Sequence, residues 1–137
     1  MKNISNQMLI KKAASVIHSK NLKEGLIGDV GCALVSERGK IYTGVCVGIN
    51  SNGYCAERVA IAKMITDGKE YKIKKIVATW KDKEGKVYVI PPCGFCRQCM
   101  RDTDEANIHD TKVVLDKNKT VLLKDLIPYY DWWKKQK

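Results

Sequence analysis

Two short stretches hold the side chains able to do chemistry. "YCAERVAI" places Cys55, Glu57 and Arg58 together, and "PPCGFCRQC" crowds Cys93, Cys96 and Cys99 into seven residues. Cys93 and Cys96 form a C-x-x-C, the spacing at which two thiolates reach one tetrahedral zinc ion. Cys55 opens a different helix. A helix N-terminus carries partial positive charge, which lowers a thiol's pKa and favours the thiolate that a metal needs. Two such starts can converge on one ion, and three sulfurs leave a fourth position open, the arrangement of a catalytic zinc. Glu57, two residues beyond Cys55, is turned away from the ligand direction. A carboxylate there can take a proton from an activated water and pass it to a leaving group. Three thiolates over-neutralise a divalent ion, and Arg58 can offset that charge by donating to a sulfur.

The elements that must position these residues are readable from periodicity. Ser5 caps a helix over residues 5–18 with Leu9, Ala13, Val16 and Ile17 as its apolar stripe. "VGCALVS" and "IYTGVCV" read as strands joined by a turn containing Gly39, and "GINSNGY" as a polar loop. A helix follows over residues 55–67, with Gly68 placed to end it. "KKIVATW" and "KVYVI" are strands, "PP" stops the second, and a short helix covers residues 93–102. "TKVVLD" and "KTVLL" are two further strands, and a last helix begins near "KDLIPYY". Strands alternating with helices imply an α/β sandwich, one sheet with helices on its faces.

Bulk composition narrows the functional class. The chain has 137 residues, 45% apolar and 29% charged, which suits one folded domain and not a disordered segment. No apolar run is long enough to span a membrane, and "MKNISNQMLIKKAAS" has no signal-peptide core, so a cytoplasmic setting with reduced thiols is expected. The net charge is +10, yet lysine dominates, with arginine only at 38, 58, 97 and 101. Nucleic-acid surfaces lean more on arginine and interleaved aromatics, so the charge reads as a solvated face and nucleic acid as an unfavoured partner.

"CAER" followed by "PCGFCRQ" resembles the signature of the cytidine deaminase family, in its small homotetrameric branch with three cysteine ligands. "KIYTGV" and "TVLLKDLIP" extend the resemblance over most of the chain. It implies a three-layer α/β/α sandwich, a single domain over 1–137 with one mixed sheet of about five strands. It further implies that Cys55, Cys93 and Cys96 bind one Zn²⁺ per chain and that Glu57 shuttles protons. The reaction implied is hydrolytic removal of the 4-amino group of a cytosine nucleoside by a homotetramer. The pattern also departs from the family. Relatives carry N-x-E after the "TGV" strand to hold the ribose hydroxyls, whereas Cys46 and Gly48 stand there in this chain. The loop from Cys46 to Cys55 is short, similar in length to that of blasticidin-S deaminase. Ordinary ribose recognition, and strong discrimination among sugars, are therefore not expected.

Several residues keep two readings. Cys99 could close a structural four-cysteine site or pack in the core. Cys32 and Cys46 lie on apolar strands and read as core. His18 and His109 read as surface or capping groups. Asn52 either makes a turn or borders the pocket. Tyr129, Tyr130, Trp132 and Trp133 either plug the sheet or, as C-terminal aromatics do in the resembling family, cover a substrate ring.

Overall fold

The computed structural model describes residues 3–49 and 52–137. Helix α1 (Asn6–Ser15) begins where the Ser5 hydroxyl accepts from the Met8 amide at 3.1 Å, and it buries Leu9 and Ala13, one turn apart. The chain continues through β1 (Lys20–Leu22), β2 (Gly25–Ser36), β3 (Ile41–Ile49) and β4 (Asn52–Tyr54) into α2 (Ala56–Gly68). Then come β5 (Ile73–Lys81), β6 (Val87–Ile90), α3 (Gly94–Thr103), α4 (Asn107–Asp110), β7 (Lys112–Asp116) and β8 (Lys119–Leu122). A 3₁₀ turn, Leu123–Leu126, takes the place of the last helix expected from the sequence. Pro128 has no amide hydrogen to carry a helix past it.

One mixed sheet has the order β4-β3-β2-β5-β7-β8, with β1 also on β2 and β6 also on β5. Among the described residues every pairing is antiparallel except β5 with β7, which is parallel. The sheet therefore has eight strands, not about five. The unforeseen strands, β1 and β4, are three residues each and lie in polar stretches. So short a run shows no alternation, and only its neighbour's backbone makes it a strand.

Strict alternation divides the sheet into two apolar faces. Cys32 and Leu34 of β2, Ile76 of β5 and Val113 of β7 pack with α2, α3 and α4. The intervening Ala33, Val35, Val77 and Val114 pack under Leu9 and Ala13 of α1. Burying each large aliphatic side chain stabilises the fold by about 1.5–3 kcal/mol. The result is the three-layer α/β/α arrangement.

Helix α2 lies close on β3 because position 44 is glycine. A Cβ there would stand 2.7 Å from the Ala56 carbonyl oxygen and from the Ala60 nitrogen. At the far end of the helix, Lys69 and not Gly68 takes the left-handed cap, with φ of 54°. Gly68 is needed for space: the Tyr42 hydroxyl fills the volume a side chain would occupy. Tyr42 thus marks the C-terminal end of α2 and Gly44 its first turn. The next residue on that face of β3, Cys46, lies beyond the start of the helix, at the end where Cys55 stands.

Candidate metal centre

Cys55 and Cys93 are the N-cap residues of α2 and α3, and neither side chain caps its own helix. Both thiols are left to face each other, with Sγ atoms 3.4 Å apart. Cys96, in the first turn of α3, is fully buried. Its sulfur completes a group of three lying within 4.8 Å of one another. A tetrahedral zinc with Zn–S near 2.3 Å separates its sulfurs by about 3.8 Å, so this spacing suits that ion. The donor chemistry agrees, since three soft sulfurs select a soft or borderline metal.

The electrostatics of the cluster call for a cation. Burial pushes the Cys96 thiol far up, and the charge of Glu57 and the two neighbouring sulfurs push the same way. Burial also works against ionising Cys93, but the amides of Cys96 and Phe95 and contact with Cys55 hold it below the usual thiol value. Burial raises Cys55, and its hydrogen bond with Cys93 adds to this. The expected lowering at a helix start thus holds for Cys93 and not for Cys55. Three sulfurs cannot all be anionic beside a carboxylate without a metal to hold the charge.

Glu57 is 4% exposed. Burial raises its carboxyl above the ordinary value, opposed by its own amide and by the charge of Arg58. Ala78, Ile90, Pro92 and Met100 surround it. Arg58 donates from Nη2 to the Gly53 carbonyl at 2.7 Å and lies over the Phe95 ring at 4.2 Å and the Tyr54 ring at 5.6 Å. Burial disfavours its charge, yet Cys55 and Cys96 outweigh that and raise its pKa. Arg97 ties the start of α3 to the C-terminal segment, donating to the Pro92 carbonyl at 2.8 Å and to that of Leu126 at 3.1 Å.

The remaining residues fall into place around this centre. Cys99 stands apart from the sulfur group, packed against the core beneath α3. Cys32 is buried in the core. His18 is exposed, with Nδ1 3.0 Å from the Val16 carbonyl, and His109 is exposed on α4. Cys46 is half-buried and donates to Asp29 Oδ1 at 2.9 Å. Gly48 pairs with Gly53 across β3 and β4, beside Arg58's acceptor. Asn52 pairs by its backbone with Ile49, and its side chain lies outside the described residues. Trp132 meets Tyr129 edge-on at 5.7 Å, and Trp133 is 88% exposed, so neither covers the cluster of its own chain. Tyr130 packs on the core and carries Arg101 over its ring at 5.6 Å. The sequence reading did not single out Tyr54, Phe95 or Asp29. The signal for Asp29 was present in "LIGDVG", a carboxylate flanked by glycines inside an apolar strand, which marks a bulge.

A helix-flanked mixed sheet that delivers three thiols to one point, with a buried carboxylate alongside, defines a zinc-binding α/β domain. Residues 4–113 match the family described as "Cytidine and deoxycytidylate deaminase zinc-binding region", and the chain belongs to that family. It is 33% identical over 114 residues to a cytidine deaminase of Halalkalibacterium halodurans, covering 82% of this chain and 80% of that protein. It is 42% identical over 72 residues to a probable cytidine deaminase of Dictyostelium discoideum, covering 50% of this chain and 46% of that protein. This chain therefore aligns with about half the length of the Dictyostelium protein. The crystal structure of cytidine deaminase from Mycobacterium tuberculosis is similar in fold, with a TM-score of 0.71 at 20% identity, covering 96% of this chain and all of that one.

Proposed function

We propose that the chain is a hydrolytic deaminase of a free cytosine nucleoside or nucleoside analogue, cytidine, deoxycytidine and blasticidin S being the candidates. Cys55, Cys93 and Cys96 would hold one zinc ion. When bound, that ion supplies the Lewis acidity that makes water a nucleophile near neutral pH. Glu57 takes the proton released as water adds to C4 and delivers it to the departing amine. One C–O bond forms and the C4–N4 bond breaks, so a cytosine nucleoside and water give a uracil nucleoside and ammonia. Arg58, held by Gly53 and the two aromatic rings, offsets the sulfur charge. Assembly as a cytoplasmic homotetramer belongs to the same reading. Its support is the family resemblance together with the exposure of Tyr54, Phe95, Trp132 and Trp133.

The observation that carries the reading is the pairing of the three-sulfur group with the buried carboxylate of Glu57. The test is ultraviolet loss of the 4-amino group on cytidine, deoxycytidine, blasticidin S and a single-stranded oligonucleotide, with zinc counted per chain. Turnover of a free nucleoside at one zinc per chain is expected. Turnover of the oligonucleotide alone, or of nothing with zinc present, overturns the reading. Among the described residues no helix is long and apolar enough to cross a membrane.

A further inference from the structure

The carboxylate of Asp29 stands where the fold makes room for it. Between the pairs Ile27–Val47 and Gly31–Val45, β2 has three residues, Gly28, Asp29 and Val30, opposite the single residue Cys46 of β3. Such a bulge re-aims the side chain it carries. Gly28 makes it possible, with φ of +81° and a close approach to the His18 carbonyl oxygen that leaves no room for a Cβ. Asp29 is thereby turned onto the face of the sheet that carries α2, where Cys46 donates to it at 2.9 Å.

That place is on the face of the sheet that carries the metal centre, beyond the start of α2. Cys32, whose thiol feels the charge of Glu57, pairs with Gly44 under the start of α2. Cys46 lies two residues further along β3, about 7 Å at the rise of an extended strand. Strand β2 runs between β3, which leads through β4 into α2, and the β5–β6 pair, which leads into α3. In sheet order the bulge therefore lies between the strands that lead into the two cysteine-bearing helices. A pyrimidine nucleoside bears its 4-amino group and its sugar on opposite ends of the ring. With the amine end at Glu57, the sugar is carried outward toward this bulge. Asp29 is half-buried, and the thiol occupies Oδ1.

We propose that Asp29 is the acceptor for the vicinal hydroxyls of the nucleoside sugar, and so a specificity-determining residue of this site. The inference rests on the deaminase reading for the orientation of the base. It also replaces the weak sugar discrimination expected from Cys46 and Gly48, because a charged acceptor is present after all. A hydroxyl donating to a carboxylate is worth between about tenfold and a hundredfold in affinity.

The test compares kcat/KM for cytidine and 2′,3′-dideoxycytidine in the zinc-loaded chain and in three variants, Asp29→Ala, Asp29→Asn and Cys46→Ala. The native chain should prefer cytidine by at least about tenfold, mainly through KM. Asp29→Ala should erase the preference while turning over the dideoxy compound as the native chain does. Asp29→Asn, isosteric and still an acceptor, should retain part of it, and Cys46→Ala should keep it. A merely structural role for Asp29 would lower both substrates alike and leave the ratio unchanged, which overturns the proposal. If the native chain deaminates no cytosine nucleoside, the deaminase reading falls by itself. The Asp29 contact is then decided by calorimetric binding of uridine against 2′,3′-dideoxyuridine, and equal affinities overturn it too.

Discussion

At Glu57, burial and chemistry pull in the same direction. Burial raises its carboxyl above the ordinary value, the direction that favours a proton carrier over a solvated carboxylate. Glu57→Gln keeps the shape and removes the proposed carrier. It should leave zinc content and the far-ultraviolet dichroism unchanged while lowering turnover by at least about 10²-fold. Loss of zinc in this variant would mean that Glu57 is a ligand. The cysteines separate by a simple metal count: Cys96→Ala should lose the ion, whereas Cys99→Ala, outside the sulfur group, should keep it. These residues were legible because their spacing is local. A C-x-x-C at one helix start and a C-x-E at another set direction and reach within a single turn. Asp29 showed only the bulge signal of its flanking glycines, because its orientation depends on the register of β2 against β3, which a linear reading does not contain.

Among the elements, α2 carries most of the consequence. It is pressed onto β3 at Gly44, and at its far end the Glu70 amide donates to the Met64 carbonyl at 3.3 Å. Gly44→Ala would force the helix off the strand, at a cost of about 1–3 kcal/mol for overpacking. Because Cys55 rides on that helix, zinc affinity should fall together with the urea midpoint; an unchanged affinity would separate the two. Glu70 receives the Arg38 amide and the Tyr42 hydroxyl, each at 3.2 Å. Burial pushes its carboxyl up, but the Ser36 and Tyr42 hydroxyls, the Arg38 amide and the Arg38 charge together hold it below its usual 4.5. A lowered carboxyl stabilises the fold above the unfolded value and loses that contribution as pH falls through the folded one. The stability gap between the native chain and Glu70→Gln should therefore be full at pH 6 and shrink below about pH 4.5, read from urea midpoints. The helix itself was plain from its apolar spacing. Its cap was not, since Gly68 reads as a left-handed residue until Tyr42 is seen to occupy the space beside it.

Over the whole molecule, the surplus of ten positive charges meets no phosphate if the substrate is cytidine, which is uncharged at neutral pH. Deamination of cytidine should then vary little between 50 and 200 mM salt, whereas a protein neutralising several phosphates would lose orders of magnitude in affinity over that range. A steep salt dependence on an oligonucleotide, with none on cytidine, would identify the surface as a polyanion site distinct from the chemistry. The layered architecture was readable from alternating apolar patterns on β2, β5 and β7. The full strand count was not, because β1 and β4 owe their conformation to neighbours distant in sequence.

The single parallel pairing, β5 beside β7, sets an order of events during synthesis. Its registered contacts, Lys75 with Lys112 and Ile76 with Val113, close a crossover that contains α3 and both of its cluster cysteines. Ile108, Val113 and Leu123 then complete the apolar bed around Cys96 and Met100. A chain still growing on the ribosome can pair β2 with β3 early, yet it cannot shelter Cys96 until residues beyond 113 have emerged. A released chain truncated at residue 105 should leave its thiols open to alkylation except Cys32, which lies buried within the sheet. Chains released past β8 should protect Cys96 as well. The last quarter of the chain, which contributes no sulfur, therefore decides when the vulnerable interval of its thiols ends.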